Sequence, residues 1–289
     1  MDLLRVAAIA VFCSACALGQ DPVRLSEEAL AAFRAGSYDR AGQLYEQVLE
    51  ISGKGTQLAT LSDLGLVRRL QGRLNEAESL YRTALALAEK KLGTRNSVYA
   101  AVLNNIGQIA YVRRNFDQSR ICFDQALEIW KETSGPESAA VASAYTNIAA
   151  LLQAQGKYKQ AARHFETALQ IDLNLFGQVH PLVANDWSNL GVLAWDRGQH
   201  EEAERLLLRS LEIRRQTPGT DHPDYAENLL NLMSICEIQG RSAEALVYFQ
   251  RALPVLERAL GEDSPRVAAL RTKYQTVRNR VLVKAEAFR

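Results

Sequence analysis

One interval, 42 residues, recurs along most of this chain and limits what it can fold into more than any single motif does. Gly72, Gly156, Gly198 and Gly240 stand at multiples of 42 from one another, and Gly93, Gly135, Gly177, Gly219 and Gly261 follow at steps of 42. Asn105, Asn147, Asn189 and Asn231 keep the same spacing. Self-similarity at a period of about 20 to 50 residues marks stacked repeats, each touching only its neighbours. A chain of 289 residues can then be one array rather than two globular domains.

Each repeat reads as two helices. From Gly156 the apolar and small residues Tyr158, Ala161, Ala162, Phe165, Ala168, Leu169, Ile171 and Leu175 fall three and four apart, which gives a helix one buried face. The stretch before it does the same through Ala144, Tyr145, Ile148, Ala149, Leu151 and Leu152. Gln155-Gly156-Lys157 joins the two as a tight hairpin, with the glycine ending the first helix. Three residues beyond the second glycine series come Asn96, Ser138, His180, His222 and Ser264, positions suited to helix N-caps. Pro181, Pro223 and Pro265 follow three of them, where a first-turn proline is tolerated, so the His-Pro pairs read as caps rather than ligands.

The combination G-x-Y/L-x-x-A, then Ala-Leu two turns later, then G-x-x-H-P, resembles the tetratricopeptide repeat (TPR) in the 42-residue form of kinesin light chain. The resemblance runs from about Leu25 to the C-terminus. It implies an all-α, right-handed superhelix of about six hairpins, expected over 25–51, 57–91, 97–133, 139–175, 181–216 and 223–260. A capping helix from 265 to about 287 closes the array, with segment 1–19 ahead of it, the solenoid over 20–263 and the cap over 264–289. Departures from the pattern are Ser119 and Ser210 where other units carry Ala, a first interval of 36 from Gly36 to Gly72, and Arg114-Asn115 in place of a turn glycine. In that last unit Asn115 is expected to supply the left-handed residue.

The N-terminus differs. After Met1 to Arg5 comes an uncharged run, Val6 to Gly19, the size of a signal-peptide core and short for a membrane span. Export to a periplasmic or extracellular space is expected, with an uncleaved membrane anchor as the alternative; Cys16 also faintly resembles a lipoprotein site. Cleavage would remove Cys13 and Cys16. The remaining Cys122 and Cys236 lie on apolar registers of separate repeats and read as buried thiols, not a disulfide framework.

Chemistry is not expected. A net charge of +1 gives no electrostatic footprint for nucleic acid. Gly53-Lys54-Gly55-Thr56 lacks the order of a phosphate loop, and His200-Glu201-Glu202 has no second histidine one turn on. The four histidines do not converge, so no metal, cofactor or catalytic residue is predicted and the chain is read as no enzyme.

What remains is a surface for a protein or peptide partner. The resemblance implies that the first helix of each hairpin lines a concave face, which puts Asn105, Asn147, Asn189 and Asn231 in a ladder. An amide donates and accepts, so it can bond an extended backbone whatever its side chains. Helices about 8 to 10 Å apart and a chain rising roughly 3.3 Å per residue would give one rung per three peptide residues. The alternative is that each Asn bonds only to the adjoining hairpin. Helical spacing adds Asn104, Tyr111, Asn185, Trp195 and Glu227 as specificity candidates, with Asp63, Arg69, Gln108, Gln153, Ser234 and Glu237 near the same face. Tyr111 and Trp195 could act as aromatic anchors. Asp196, Glu227 and Glu237 suggest basic or neutral ligands. The competing functional reading is a scaffold or self-associating assembly factor that uses its ends or its convex face; the sequence leaves the oligomeric state open.

Overall fold

A computed structural model of the chain describes residues 21–52, 58–217, 219–262 and 264–287, with the side chains of 280–287 excepted. The signal-like segment, with Cys13 and Cys16, and Gly53 to Thr56 lie outside the described residues. Among the described residues there are thirteen α-helices and no strand: α1 Pro22–Arg34, α2 Tyr38–Ser52, α3 Leu58–Leu70, α4 Leu74–Leu92, α5 Ser97–Val112, α6 Phe116–Ser134, α7 Ala139–Ala154, α8 Tyr158–Phe176, α9 Pro181–Asp196, α10 His200–Gln216, α11 Pro223–Ile238, α12 Ser242–Leu260 and α13 Pro265–Ala287. Contacts divide them into two compact units that meet within α5, the first ending at Ile109 and the second beginning at Ala110. Inside each unit, consecutive helices pack as hairpins of a TPR α-solenoid.

The punctuation works as its chemistry dictates. At the N-terminus of α9 the His180 Nδ1 accepts from Leu182 N at 3.2 Å, and His222 caps α11 through Asp224 N at 3.2 Å. Asn96 takes two orphan N–H groups of α5, from Val98 at 3.0 Å and Tyr99 at 2.9 Å. Helices α4, α6, α8 and α12 end on the second glycine series, whereas α10 ends at Gln216 with Thr217 as its C-cap; Gly177 has φ 76 and ψ −170, a conformation open essentially to glycine alone.

One turn differs from expectation. Arg114, not Asn115, takes the left-handed conformation, with φ 60. Register explains it, because Arg114 is the residue 42 before Gly156 and closes the same turn. Asn115 N bonds Ala110 O at 2.8 Å just as Lys157 N bonds Leu152 O at 2.9 Å. Asn115 is free to act as the N-cap of α6 instead, accepting from Gln118 N at 3.2 Å.

The core is written in the same period. Tyr81, Phe123, Phe165, Leu207 and Phe249 are 42 apart, sit on second helices and are buried. Glycines face two of them on the first helices, while Met233 packs against Phe249. A Cβ on Gly65 would stand 2.6 Å from Tyr81 Cε1, and one on Gly191 2.8 Å from Leu207 Cγ, so these glycines set how closely each hairpin closes. In the first unit Tyr81 joins Leu44, Leu61, Leu64 and Val67, with Val102 and Ile109 of α5 packed on them. In the second unit, Phe123, Ile148, Leu152, Phe165 and Leu193 form one cluster. At its far end Val277 of α13 packs against Met233 and Phe249 and closes the stack.

Candidate binding face

Asn147, Asn189 and Asn231 occupy one register on α7, α9 and α11, the first helices of three successive hairpins in the second unit, and all are half-buried. The side-chain amides of Asn189 and Asn231 make no hydrogen bond among the described residues. Asn105 occupies the same register on α5 in the first unit and is likewise half-buried. Half-burial without a partner leaves an amide both accessible and in need of a donor or acceptor, which is how a ligand-reading group looks before its ligand arrives.

The flanking candidates divide differently. Asn104 is 5% exposed and points into the packing, so it presents nothing to a ligand. Tyr111 packs on Phe116, ring centroids 6.2 Å apart, and belongs to the Phe123–Phe165 cluster. Burial raises its phenol pKa above the ordinary value. Trp195 meets His200 edge-on at 4.9 Å and packs with the cluster of Ala194, Leu206 and Leu232. Both aromatics therefore serve repeat packing first. Asn185 accepts from Arg214 Nη2 at 2.6 Å.

The acidic half of the face is already paired. Glu227 bonds Arg266 at 2.6 Å and Glu237 lies 3.3 Å from Lys273, so the capping helix α13 neutralises both. Burial raises the Glu227 carboxyl pKa, with Arg266 opposing. Asp196 stays exposed and accepts from Gln153 at 2.6 Å. The expected preference for basic or neutral ligands loses two of its three carboxylates to intrachain cations.

Sequence reasoning missed the polar keys inside the seams. Ser210, a departure from the Ala pattern, donates to Ala184 O at 2.7 Å and receives Arg214 Nε at 3.3 Å, and the Asn228 amide lies 2.6 Å from its hydroxyl. Arg214, 5% exposed, also reaches Asp224 at 3.1 Å. One repeat earlier the same two positions hold Asp172 and Asp186, both buried. Their signal was available in the period: positions occupied elsewhere by Trp130 and Leu256, and by Val102 and Ala144, carry charge here.

Among the described residues no group of three or more His, Cys, Asp or Glu is placed to hold a metal ion, and no helix is long and apolar enough to cross a membrane. Cys122 and Cys236 are free and buried. A cleft of about 390 Å³ between α2, α3 and α4 is rimmed by Glu46, Glu50 and Glu76. Its one cation, Arg68, is engaged with Glu46, Glu76 and Gln71, which makes the cleft a salt-bridged seam.

Repeated helical hairpins whose first helices carry a register of amides define a helical-repeat interaction scaffold. A family model described as tetratricopeptide repeat matches residues 25–90, 56–125, 98–174 and 182–258, and the chain belongs to that family. Such repeats are general protein–protein interaction scaffolds. No curated protein matches the chain. Among solved structures it is similar to BtubC (BKLC) from P. vanneervenii, with 24% identity over 83% of this chain and 92% of that one and a TM-score of 0.53. It also resembles a kinesin-light-chain-type protein of Podosopora anserina with nearly identical TPR-like repeats, at 18% identity over 73% and 99% of the two chains, TM-score 0.51. A Rap protein complexed with competence and sporulation factor shares 15% identity over 83% of this chain and 78% of that one, with a TM-score of 0.64. At these identities the likeness concerns the fold.

Proposed function

We propose that this chain is a non-catalytic interaction module that holds an extended segment of a partner protein, or a peptide, along its first-helix face. The observation that carries the reading is the state of Asn189 and Asn231. Their amides are half-buried and unbonded among the described residues, while Asn185, Glu227, Glu237 and Gln153 around them have intrachain partners. An amide held in a packed surface without a partner gains about 0.5 to 1.5 kcal/mol when one arrives. The structure of a Rap protein complexed with competence and sporulation factor supports the idea that a stack of this fold accommodates a bound factor.

A partner captured by crosslinking from the native cell provides the ligand for the test. Changing Asn189 and Asn231 together to Ala is expected to weaken its binding about tenfold or more, with helicity and melting temperature unchanged. Unaltered affinity in the double variant would remove the amide register from the account.

A second reading rests on Ile121, Leu208 and Val247, large apolar side chains exposed on the second helices α6, α10 and α12. They would suit a scaffold or self-associating assembly factor that uses its other face.

A further inference from the structure

The seam between α8 and α9 contains a pair of acids that the proposed binding face does not use. Asp172 on α8 is 5% exposed and Asp186 on α9 is 3% exposed. Leu169 and Leu173 beside the one pack with Val183, Ala184 and Trp187 beside the other, which sets both acids in one apolar seam, where each carboxyl acts on the other. Carboxylates only accept, so two of them enclosed in one seam can satisfy each other only if one carries a proton. Asp172 Oδ1 and Asp186 Oδ2 are enclosed and have no hydrogen-bond partner among the described residues.

The groups facing the pair offer little to replace that proton. From α7 comes the neutral Thr146 hydroxyl, which acts on Asp186. His180, at the start of α9, acts on Asp172 and is the titratable neighbour. On α10, Arg209 lies over the Trp187 ring at 4.0 Å, and Arg214 is held by Asn185 and Asp224. The adjoining seams are built otherwise. One repeat on, Arg214 and Asn228 fill the two positions; one repeat back, Trp130 and Ala144 do. A guanidinium with an amide, or an indole with a methyl, needs no proton exchange near neutrality. This one seam does.

We propose that the α8–α9 seam is a proton-dependent joint: a proton shared by Asp172 and Asp186 locks the fourth hairpin to the fifth, and its loss sets two buried charges against each other and loosens α9. That helix carries Asn185 and Asn189, so the joint would also tune the presentation of the face, although the titration stands independently of any ligand.

Burial first, then the Asp172 charge, push Asp186 up to about 8, and burial raises Asp172 as well. An unfolded Asp releases its proton near pH 4. Between about 4 and about 8 the folded chain therefore holds a proton that the unfolded chain has lost. Stability attributable to the pair falls as pH rises through that window, by up to about tenfold in the opening constant per pH unit, and levels off once the pair has ionised.

Hydrogen exchange of the full chain, corrected for intrinsic rates and followed from pH 5.5 to 9, reads this locally. Protection in α8 and α9 is expected to fall by up to about tenfold per unit as far as pH 8, relative to α2; α3 is no reference, because burial also raises its Asp63 carboxyl. In Asp186→Asn the amide can donate to Asp172 without a shared proton, and the relative slope should vanish. Asp172→Asn serves as an independent second variant. A wild-type slope no steeper in α8–α9 than in α2, or the wild-type slope persisting in both Asn variants, would overturn the joint.

Discussion

Two residues at equivalent kinds of break show how far backbone geometry dictates this sequence. Gly177 sits at φ 76 and ψ −170 with nothing within 4 Å of a would-be Cβ, so its identity is set by conformation and not by space. Replacing it by Ala should cost about 1 to 3 kcal/mol. Arg114 holds a left-handed turn at φ 60 with a side chain that disfavours it by about 1 to 2 kcal/mol. Arg114→Gly removes that strain but frees the unfolded chain, worth about 0.4 to 1 kcal/mol the other way. The net expectation is a gain of roughly 0.5 to 1 kcal/mol. Thermal or urea melts of both variants should move in opposite directions. The sequence showed that a turn glycine was missing here, yet placed the left-handed residue one position late. Asparagine's usual tolerance of that conformation outweighed the register argument, which identified Arg114 directly.

At the scale of helices, hairpins were legible because their signals are local: apolar spacing, glycine stops, and Asn, Ser or His starts. Seams between hairpins were less so, since their polar contents join residues from different helices. Ser210 stands out as a departure from the Ala pattern, yet nothing in the spacing ties it to Arg214, which lies one turn on, or to Asn228 on the next first helix. The energetics separate this network from the surface pairs. Arg258 and Asp221 form an ion pair at 2.6 Å with most of both side chains in water, worth about 0 to 1 kcal/mol. Arg214 is enclosed, and Arg214→Met would strip partners from Asn185 and Ser210 within the seam. Asp224 keeps its access to water, which limits the loss, so a cost of about 2 to 3 kcal/mol is expected by urea unfolding. Arg258→Ala should be nearly silent in the same assay. At the candidate site, the amide register was readable from spacing alone. What could not be read was which neighbours are already committed: Tyr111 and Trp195 to packing, Glu227 and Glu237 to the cations of α13.

For the molecule as a whole, the repeat period fixed the class of fold before any residue was given a role. Each unit is held by contacts between consecutive helices, and stability in such arrays is close to a sum of local and nearest-neighbour contributions. Function then follows from what repetition leaves over. Residues that repeat at every turn, such as the Tyr81 to Phe249 column, build the stack. Residues that repeat on the first helices without intrachain partners, Asn189 and Asn231, are those proposed to meet a ligand. Site-specific photocrosslinking tests that assignment most directly. A photoreactive side chain at Val192 or Ile238, each on a first helix close in register to these asparagines, should crosslink the bound partner. One at Leu208 or Val247, exposed on second helices, should not. Crosslinks confined to 208 and 247 would contradict the account and move the binding surface to the opposite face.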